Sequence, residues 1–333
     1  MRLLKWLSFG FAIWMIYWAL AAWGLRSGVA AWFGEQERQG WQAEYSMLQT
    51  GGFPLHHETR ILQPVLADPG TGTAWRADWL HLISPAIWPG HQQLRFSQTP
   101  QRFSYFDQTY VLTAAGMAAD LQLAPGTALE LEQMALQAGA WQLTQTDQPL
   151  FGADRFDLSM VQQERPADYR IRVQAQGFAP KGEIRRLLQV RRDQPEHFEA
   201  LSLEADVRFD TPWDRRALEL RRPQPRHIAL SLAELRWGEI QFRATGDLNL
   251  DEAGWVSGEL ALQMENWRVL LDMLEKSRLL PSQSTRQGLE HLLELLAGLS
   301  GHPQKLNAKL RFQDGQAYAG PIPLGPAPRL VLR

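Results

Sequence analysis

The chain has 333 residues, 34 basic and 36 acidic side chains, a net charge of −2 and no cysteine. The arginines are scattered among acids rather than gathered into a stripe, which argues against nucleic acid as a partner. The lack of cysteine excludes disulfides, zinc–thiolate sites and thiol nucleophiles, and the length allows one large β-rich domain or two ordinary ones.

The first predicted element is a membrane helix. Residues 6–25 contain only two clearly polar side chains, Ser8 and Tyr17, and their number matches the ~20 residues that span hydrocarbon. The sequence therefore predicts a transmembrane anchor over residues 1–26. Its apolar surface is formed by Trp6, Phe9, Phe11, Ile13, Trp14, Ile16, Trp18, Leu20 and Trp23.

The charges that flank this helix predict its orientation. Arg2 and Lys5 precede the apolar run, whereas the segment after it mixes Arg26 with Glu35. The positive-inside rule therefore favours a cytoplasmic amino terminus, with the main body in the periplasm and a single pass through the bacterial inner membrane. A cleaved signal peptide is the alternative, because residues 19–21 (Ala-Leu-Ala) fit the small-x-small cleavage pattern. The apolar run is long for a signal peptide, which favours a retained anchor.

Two further segments follow in chain order. Helical periodicity continues past the membrane and predicts an amphipathic helical linker over residues 27–50, which "TGGFPL" ends because glycine and proline are costly inside a helix. Residues 51–180 consist of short runs separated by turn sequences such as "ADPGTGT". This spacing predicts an N-terminal β region.

Residues 181–333 show the clearest alternation of apolar and polar side chains, and they predict a C-terminal β region. A strand places alternate residues on opposite faces, so "EALSLEADVRF" has one apolar face and one charged face. The segment from Glu234 to Trp267 repeats the pattern twice around "DEAG", which predicts a long hairpin.

Three helices are predicted within this region, at about residues 184–192, 266–280 and 284–299. Asn266 is expected to cap the second helix. The last two helices carry leucines at i, i+3, i+4 and i+7 and are expected to pack on an apolar surface. The fold class is therefore mainly β with a few helices: a transmembrane helix followed by an elongated, mostly antiparallel β body, whether groove, half-barrel or sandwich.

Motifs for metal binding and catalysis are weak in this sequence. His56 and His57 are adjacent in an extended segment and point to opposite faces. "DLNLDEAG" opens like a calcium loop, but Glu252 stands where such a loop needs glycine, so a hairpin turn is predicted. The surroundings of Ser300 do not match a nucleophile elbow. We therefore expect no cofactor and no catalysis, and an envelope hydrolase is the least supported alternative.

Several stretches resemble an uncharacterised proteobacterial envelope family, domain of unknown function 2125. They are the apolar N-terminal segment, "GGFPL" at 51–55, "LADPGTGTAW" at 66–75 and the ribbon at 235–274. The tail also resembles AsmA-like proteins, in which a similar ribbon precedes a helix with paired leucines. That second resemblance implies a hydrophobic β-groove that holds or passes lipids from an inner-membrane anchor.

An apolar sheet face can be covered by another sheet or can line a groove, and the sequence pattern is the same in both cases. We expect the groove, with a phospholipid or another long apolar ligand, and we expect inner-membrane lipids as partners. An envelope assembly protein that binds a protein partner through an exposed strand edge is the alternative. The residues expected to bind lipid are Leu201, Leu203, Val207, Phe209, Ile240, Phe242, Leu248, Leu250, Leu260 and Leu262.

Overall fold

The computed structural model describes residues 2–88, 90–188, 190, 194–219, 221–276, 290, 293–294, 298 and 305–332. Strands take up 53% of the chain and their pairings are antiparallel, which confirms the predicted mainly β class. The backbone divides into two compact units. The first comprises Met1–Leu123 and Leu136–Asp147, and the second comprises Ala124–Ala135 and Gln148–Arg333.

The elements follow one another with short connections. The earlier ones are α1 (Arg2–Arg38), β1 (Gln42–Glu44), β2 (Met47–Gly51), β3 (His56–Leu62), β4 (Val65–Asp68), β5 (Thr73–Arg76), β6 (Trp79–Pro85), β7 (His91–Phe96), β8 (Gln101–Tyr105), β9 (Gln108–Ala114), β10 (Ala118–Leu123), β11 (Leu131–Ala138) and β12 (Trp141–Gln145). The later ones are β13 (Gln148–Ala153), β14 (Arg155–Gln162), β15 (Asp168–Gln176), β16 (Ala179–Pro180), α2 (Gly182–Leu187), β17 (Ala200–Phe209), α3 (Arg216–Glu219), β18 (Pro225–Trp237), β19 (Ile240–Leu250), β20 (Val256–Glu265), α4 (Trp267–Lys276), β21 (Lys305–Gln313), β22 (Gln316–Ala319) and β23 (Ile322–Pro326).

Helix α1 is one unbroken helix of 37 residues, about 55 Å long at 1.5 Å per residue. It is long and apolar enough to cross a membrane and leave a further stretch outside it. That stretch is part of a folded core, because Phe33 is 4% exposed and packs with Ala43, Leu48 and Ile61. The predicted linker over 27–50 is therefore corrected: the helix ends at Arg38, and β1 and β2 follow.

In the first unit, each pass of the chain bends from one sheet into a second. Only two residues separate β3 from β4, and three separate β9 from β10. The first sheet has the order β2-β3-β6-β7-β10 and the second the order β1-β4-β5-β8-β9-β12. Backbone bonds join neighbouring bends, from Gln63 N to Asp78 O at 2.8 Å and from Ala115 N to Ala140 O at 2.9 Å. The two sheets are therefore formed by one antiparallel meander, in which the chain bends from one sheet into the other at each pass.

In the second unit, one sheet has the order β14-β15-β17-β18-β19-β20-β21-β22-β23. Strand β15 pairs with β17 from Asp168↔Arg208 to Gln174↔Ser202. The domain boundary predicted at residues 180/181 therefore falls inside this unit, because β15 belongs to the same sheet as β17.

The hairpin predicted between Glu234 and Trp267 is present as β19 and β20. Its turn closes through Asp251, whose carboxylate accepts a hydrogen bond from Trp255 N at 2.9 Å and whose carbonyl accepts one from Gly254 N at 3.1 Å. "DLNLDEAG" is therefore a strand end and a turn, as its sequence predicts.

Helix α4 covers one end of this sheet, and the side chain of the preceding residue, Asn266, bonds across a neighbouring turn. Asn266 has φ +55°, and its Nδ2 donates to Glu239 O at 2.7 Å, so the side chain holds the β18–β19 turn. The backbone carbonyl of Asn266 accepts from Val269 N at 3.0 Å.

The other two predicted helices are only partly comparable with the structure. The helix predicted at 184–192 is α2, which begins and ends earlier, at Gly182 and Leu187. Of the helix predicted at 284–299, only residues 290, 293–294 and 298 are described, and they are helical. Ser300 lies outside the described residues.

Candidate functional site

One face of the second unit's sheet is apolar across six adjacent strands, β15 and β17 to β21. Residues that lie opposite each other in register share a face, so the pairings define rows across the sheet. One row contains Ile171, Ala205, Leu230, Gly246, Leu260 and Leu310, and the next contains Val173, Leu203, Ala233, Ala244, Leu262 and Ala308.

A β-bulge in β18 keeps these rows continuous. Leu230 and Ala233 are three residues apart, a spacing that a regular strand would place on opposite faces. The register moves from Leu230↔Gly246 directly to Ala233↔Ala244, so the two residues between them are accommodated in the bulge. Both apolar side chains therefore stay on the same face.

The opposite face of the sheet is charged, and its charges are paired between strands. The N–O distances are 2.6–2.9 Å in six pairs: Arg170–Asp206, Arg172–Glu204, Arg208–Asp168, Arg243–Glu234, Lys305–Glu265 and Lys309–Glu259. Pairs this exposed add at most about 1 kcal/mol each. Their main consequence is that this face stays in water, and the two faces of the sheet have opposite character.

The Arg170–Asp206 pair predicts a weak acid sensitivity. The hydrogen bond from Arg170 lowers the pKa of Asp206, so its contribution is present above the unfolded carboxyl pKa and is lost as pH falls through the lower, folded pKa. Asp206→Asn should therefore cost less than about 1 kcal/mol at pH 7 and nothing once the carboxyl is protonated. Urea unfolding at several pH values checks this, and parallel acid profiles of the two proteins would contradict it.

Four of the predicted lipid-binding residues are buried in packed cores: Val207, Phe209, Ile240 and Leu250, each between 3% and 8% exposed. Phe209 packs edge-on against Tyr169 and Trp213, at centroid distances of 5.9 and 5.5 Å. Ile240 packs with Met273 of α4. These four side chains contribute to the core of this structure.

The other six predicted residues are accessible to different degrees. Leu248 and Leu260 pack against a core of Leu250, Val256 and Phe312, and Leu262 packs against a core formed around Trp267 of α4. Leu201 and Phe242 are half-buried, and Leu203 is 38% exposed.

The partly uncovered part of this face, which we call the open face, includes residues that the sequence prediction omitted. It comprises Ile171, Val173, Leu201, Leu203, Leu230 and Phe242, five of them half-buried and one exposed. The alternation in "DYRIRVQA" puts Ile171 and Val173 on one face, but only the pairing of β15 with β17 puts them beside Leu203.

A cavity of about 390 Å³ in the same unit opens on the charged side of the sheet. Asp168, Asp206, Arg208 and His227 contribute to its wall, and each has an ionic or hydrogen-bonding partner within 3.2 Å. Such a wall suits polar ligands rather than acyl chains. Within the described ranges, no group of three or more His, Asp, Glu or Cys side chains converges on a metal-binding geometry.

The chain matches the family DUF2125, described as an uncharacterized protein conserved in bacteria, over residues 18–328. The matched region begins within α1, at residue 18, and includes all of the open face. No curated protein matches the chain.

Proposed function

The chain belongs to the DUF2125 family of bacterial proteins, and we propose that it is a membrane-anchored protein that binds or passes a lipid along the open face. In this proposal α1 is retained in the inner membrane with a cytoplasmic amino terminus, and the β body lies in the periplasm. The similarity of residues 235–274 to AsmA-like proteins belongs to the same proposal.

The observation that carries the proposal is the incomplete cover of the apolar face. Leu203 is 38% exposed in the middle of a paired strand, with apolar neighbours on both sides in its row. Exposed apolar surface costs roughly 25 cal/mol per Å² relative to burial, so a contiguous patch is expected to serve a binding partner.

The dimensions of the face suit an acyl chain. The open face lies on four adjacent strands, β15 and β17 to β19, which at about 4.8 Å per strand extend it about 14 Å across the sheet. One leaflet of hydrocarbon is about 15 Å thick, half of the ~30 Å bilayer core. Side chains such as Leu203 and Phe242 can supply apolar contact but no proton transfer, so the proposed role is binding rather than catalysis.

Two of the strand edges, β23 and β16, offer little support for the alternative role in protein assembly. The edge strand β23 contains Pro323 and Pro326, which lack the N–H groups that an added strand would need. The edge strand β16 has only two residues, Ala179 and Pro180. Short and proline-containing edges are devices by which proteins avoid strand addition.

Site-specific photo-crosslinking tests the proposal in the full-length protein. Benzoylphenylalanine replaces Leu203 on the open face or Glu204 on the charged face, in bacteria labelled with ³²P-phosphate. We expect labelled phospholipid adducts from position 203 and few from position 204, because the two side chains leave the same strand in opposite directions. A second pair, Phe242 and Arg243, repeats the comparison on β19.

The outcomes separate the candidate functions. Equal labelling at both positions of a pair would mean that the bilayer, not a bound lipid, is being sampled. Protein adducts without lipid at position 203 would favour an assembly role, and either result would overturn lipid binding at the open face.

A further inference from the structure

Two hairpin turns of the first unit expose large apolar side chains. The β2–β3 turn carries Phe53 and Leu55, which are 43% and 66% exposed, and the β6–β7 turn carries Ile87 and Trp88, which are 75% and 59% exposed. We call these two turns the apolar tips. Four large apolar side chains in water would be unfavourable, so this surface needs a partner.

The apolar tips contact the part of α1 that is predicted to lie in the membrane. The rings of Phe11 and Phe53 are 6.2 Å apart, edge to face, and Trp18 stacks on His57 at 5.1 Å. Trp18 Nε1 also donates to His56 O at 2.9 Å. At the second tip, Tyr17 Oη donates to Ala86 O at 2.9 Å.

These contacts fix the depth of the tips relative to the helix. A helix needs ~20 apolar residues to cross ~30 Å of hydrocarbon, and in α1 those residues are 6–25. Phe11 and Trp18 both lie within this span. If α1 crosses the bilayer with these contacts intact, the tips enter the bilayer with it.

Hydrogen bonding in the tips is compatible with such an environment. Irregular backbone inside a membrane is tolerated only where its polar groups are satisfied within the protein. The carbonyls of Gly52, Leu55 and Trp88 accept bonds from His56 N, Ala86 N and His91 N at 2.8–3.2 Å. The side chains of Tyr17 and Trp18 satisfy two more carbonyls, as described above.

Polar groups lie directly behind the first tip. Arg26 of α1, Gln49 and Thr50 of β2, and Glu58 and Arg60 of β3 surround a cavity of about 310 Å³. Charged and amide groups at this position suit the headgroup layer rather than the hydrocarbon.

We propose that the apolar tips insert into the phospholipid bilayer beside α1, as a second membrane contact of this protein. The β body is then held against the membrane by α1 and two hairpin turns rather than by the helix alone. The proposal depends on α1 crossing a membrane and does not depend on lipid binding at the open face.

Single-cysteine spin labelling tests this proposal, because the chain has no cysteine of its own. Leu55→Cys and Ile87→Cys are made in the full-length protein, labelled with a nitroxide and reconstituted at low density in vesicles of phosphatidylethanolamine and phosphatidylglycerol. Both side chains are exposed, so the substitutions remove little packing. Collision rates with oxygen and with a water-soluble nickel chelate are then measured.

Phe106→Cys is the matched control, because Phe106 is an exposed aromatic residue, 68% accessible, in the β8–β9 turn of the other sheet. We expect oxygen collisions to exceed nickel collisions several-fold at 55 and 87, and the reverse at 106. Nickel access at 55 and 87 equal to that at 106 would overturn the proposal. Shielding from both reagents would mean that protein covers the tips, which would also overturn it. Circular dichroism confirms that each variant is folded.

Discussion

Trp267→Ala is expected to lower the free energy of unfolding by about 3–5 kcal/mol, the usual cost of removing a large buried side chain. Trp267 is 1% exposed and packs with Leu271, Leu306 and Ala308, so it joins α4 to β21. Total stabilities are about 5–15 kcal/mol, so the loss would be a large fraction of the whole. Urea unfolding followed by far-ultraviolet circular dichroism measures it.

Trp255→Ala provides the comparison for this variant. Trp255 belongs to the same unit but is 38% exposed, and surface substitutions usually change stability by about 0.5 kcal/mol or less. Equal losses in the two variants would mean that α4 does not close a core over this end of the sheet. They would also mean that the apolar face is more open than the packing around Trp267 indicates.

Gly258→Ala is expected to be the next most damaging change. Gly258 lies opposite Leu248 in the β19–β20 ladder with φ +119°, a conformation that costs other residues roughly 1–3 kcal/mol. A Cβ there would also lie 2.3 Å from the carbonyl oxygen of Asp247, so the backbone would have to move. We expect a lower melting temperature and faster hydrogen exchange in β19 and β20.

Gly315→Ala is the matched control for the steric part of this effect. Gly315 has φ +71°, but no heavy atom lies within 4 Å of an added Cβ. Gly315→Ala should be destabilised only by the cost of placing alanine in the left-handed conformation, about 1–2 kcal/mol. If Gly258→Ala were no more destabilising than Gly315→Ala, the inference that β19 and β20 approach closely at this point would be wrong.

The sequence predicted best those features that depend on neighbours along the chain. The apolar run at 6–25 gave a membrane-length helix, and the alternation from Glu234 to Trp267 gave the hairpin and its turn at Asp251. The resemblance to domain of unknown function 2125 is likewise confirmed by the match over residues 18–328. Period-two and period-3.6 patterns are local, so one strand or helix is enough to display them.

Prediction of secondary structure and of capping was less successful where a contact with a distant segment determines the local structure. Residues 42–50 fall in the predicted helical linker but form β1 and most of β2, because β1 pairs with β4 and β2 with β3. Asn266 has a good capping side chain, yet that side chain bonds to Glu239 O across the β18–β19 turn. In both cases a contact made by the folded chain outweighs a local preference.

Which residues of the apolar face are covered and which are exposed also depended on the tertiary structure. Leu203 and Ile240 follow the same alternating pattern, but Met273 of α4 packs with Ile240, whereas Leu203 stays 38% exposed. Alternation specifies which side of a strand is apolar, so outside the bulge in β18 the two faces of the sheet were determined by the sequence itself. Which apolar residues are covered was decided only by the placement of α4 and neighbouring strands, because burial depends on contacts between segments far apart in the chain.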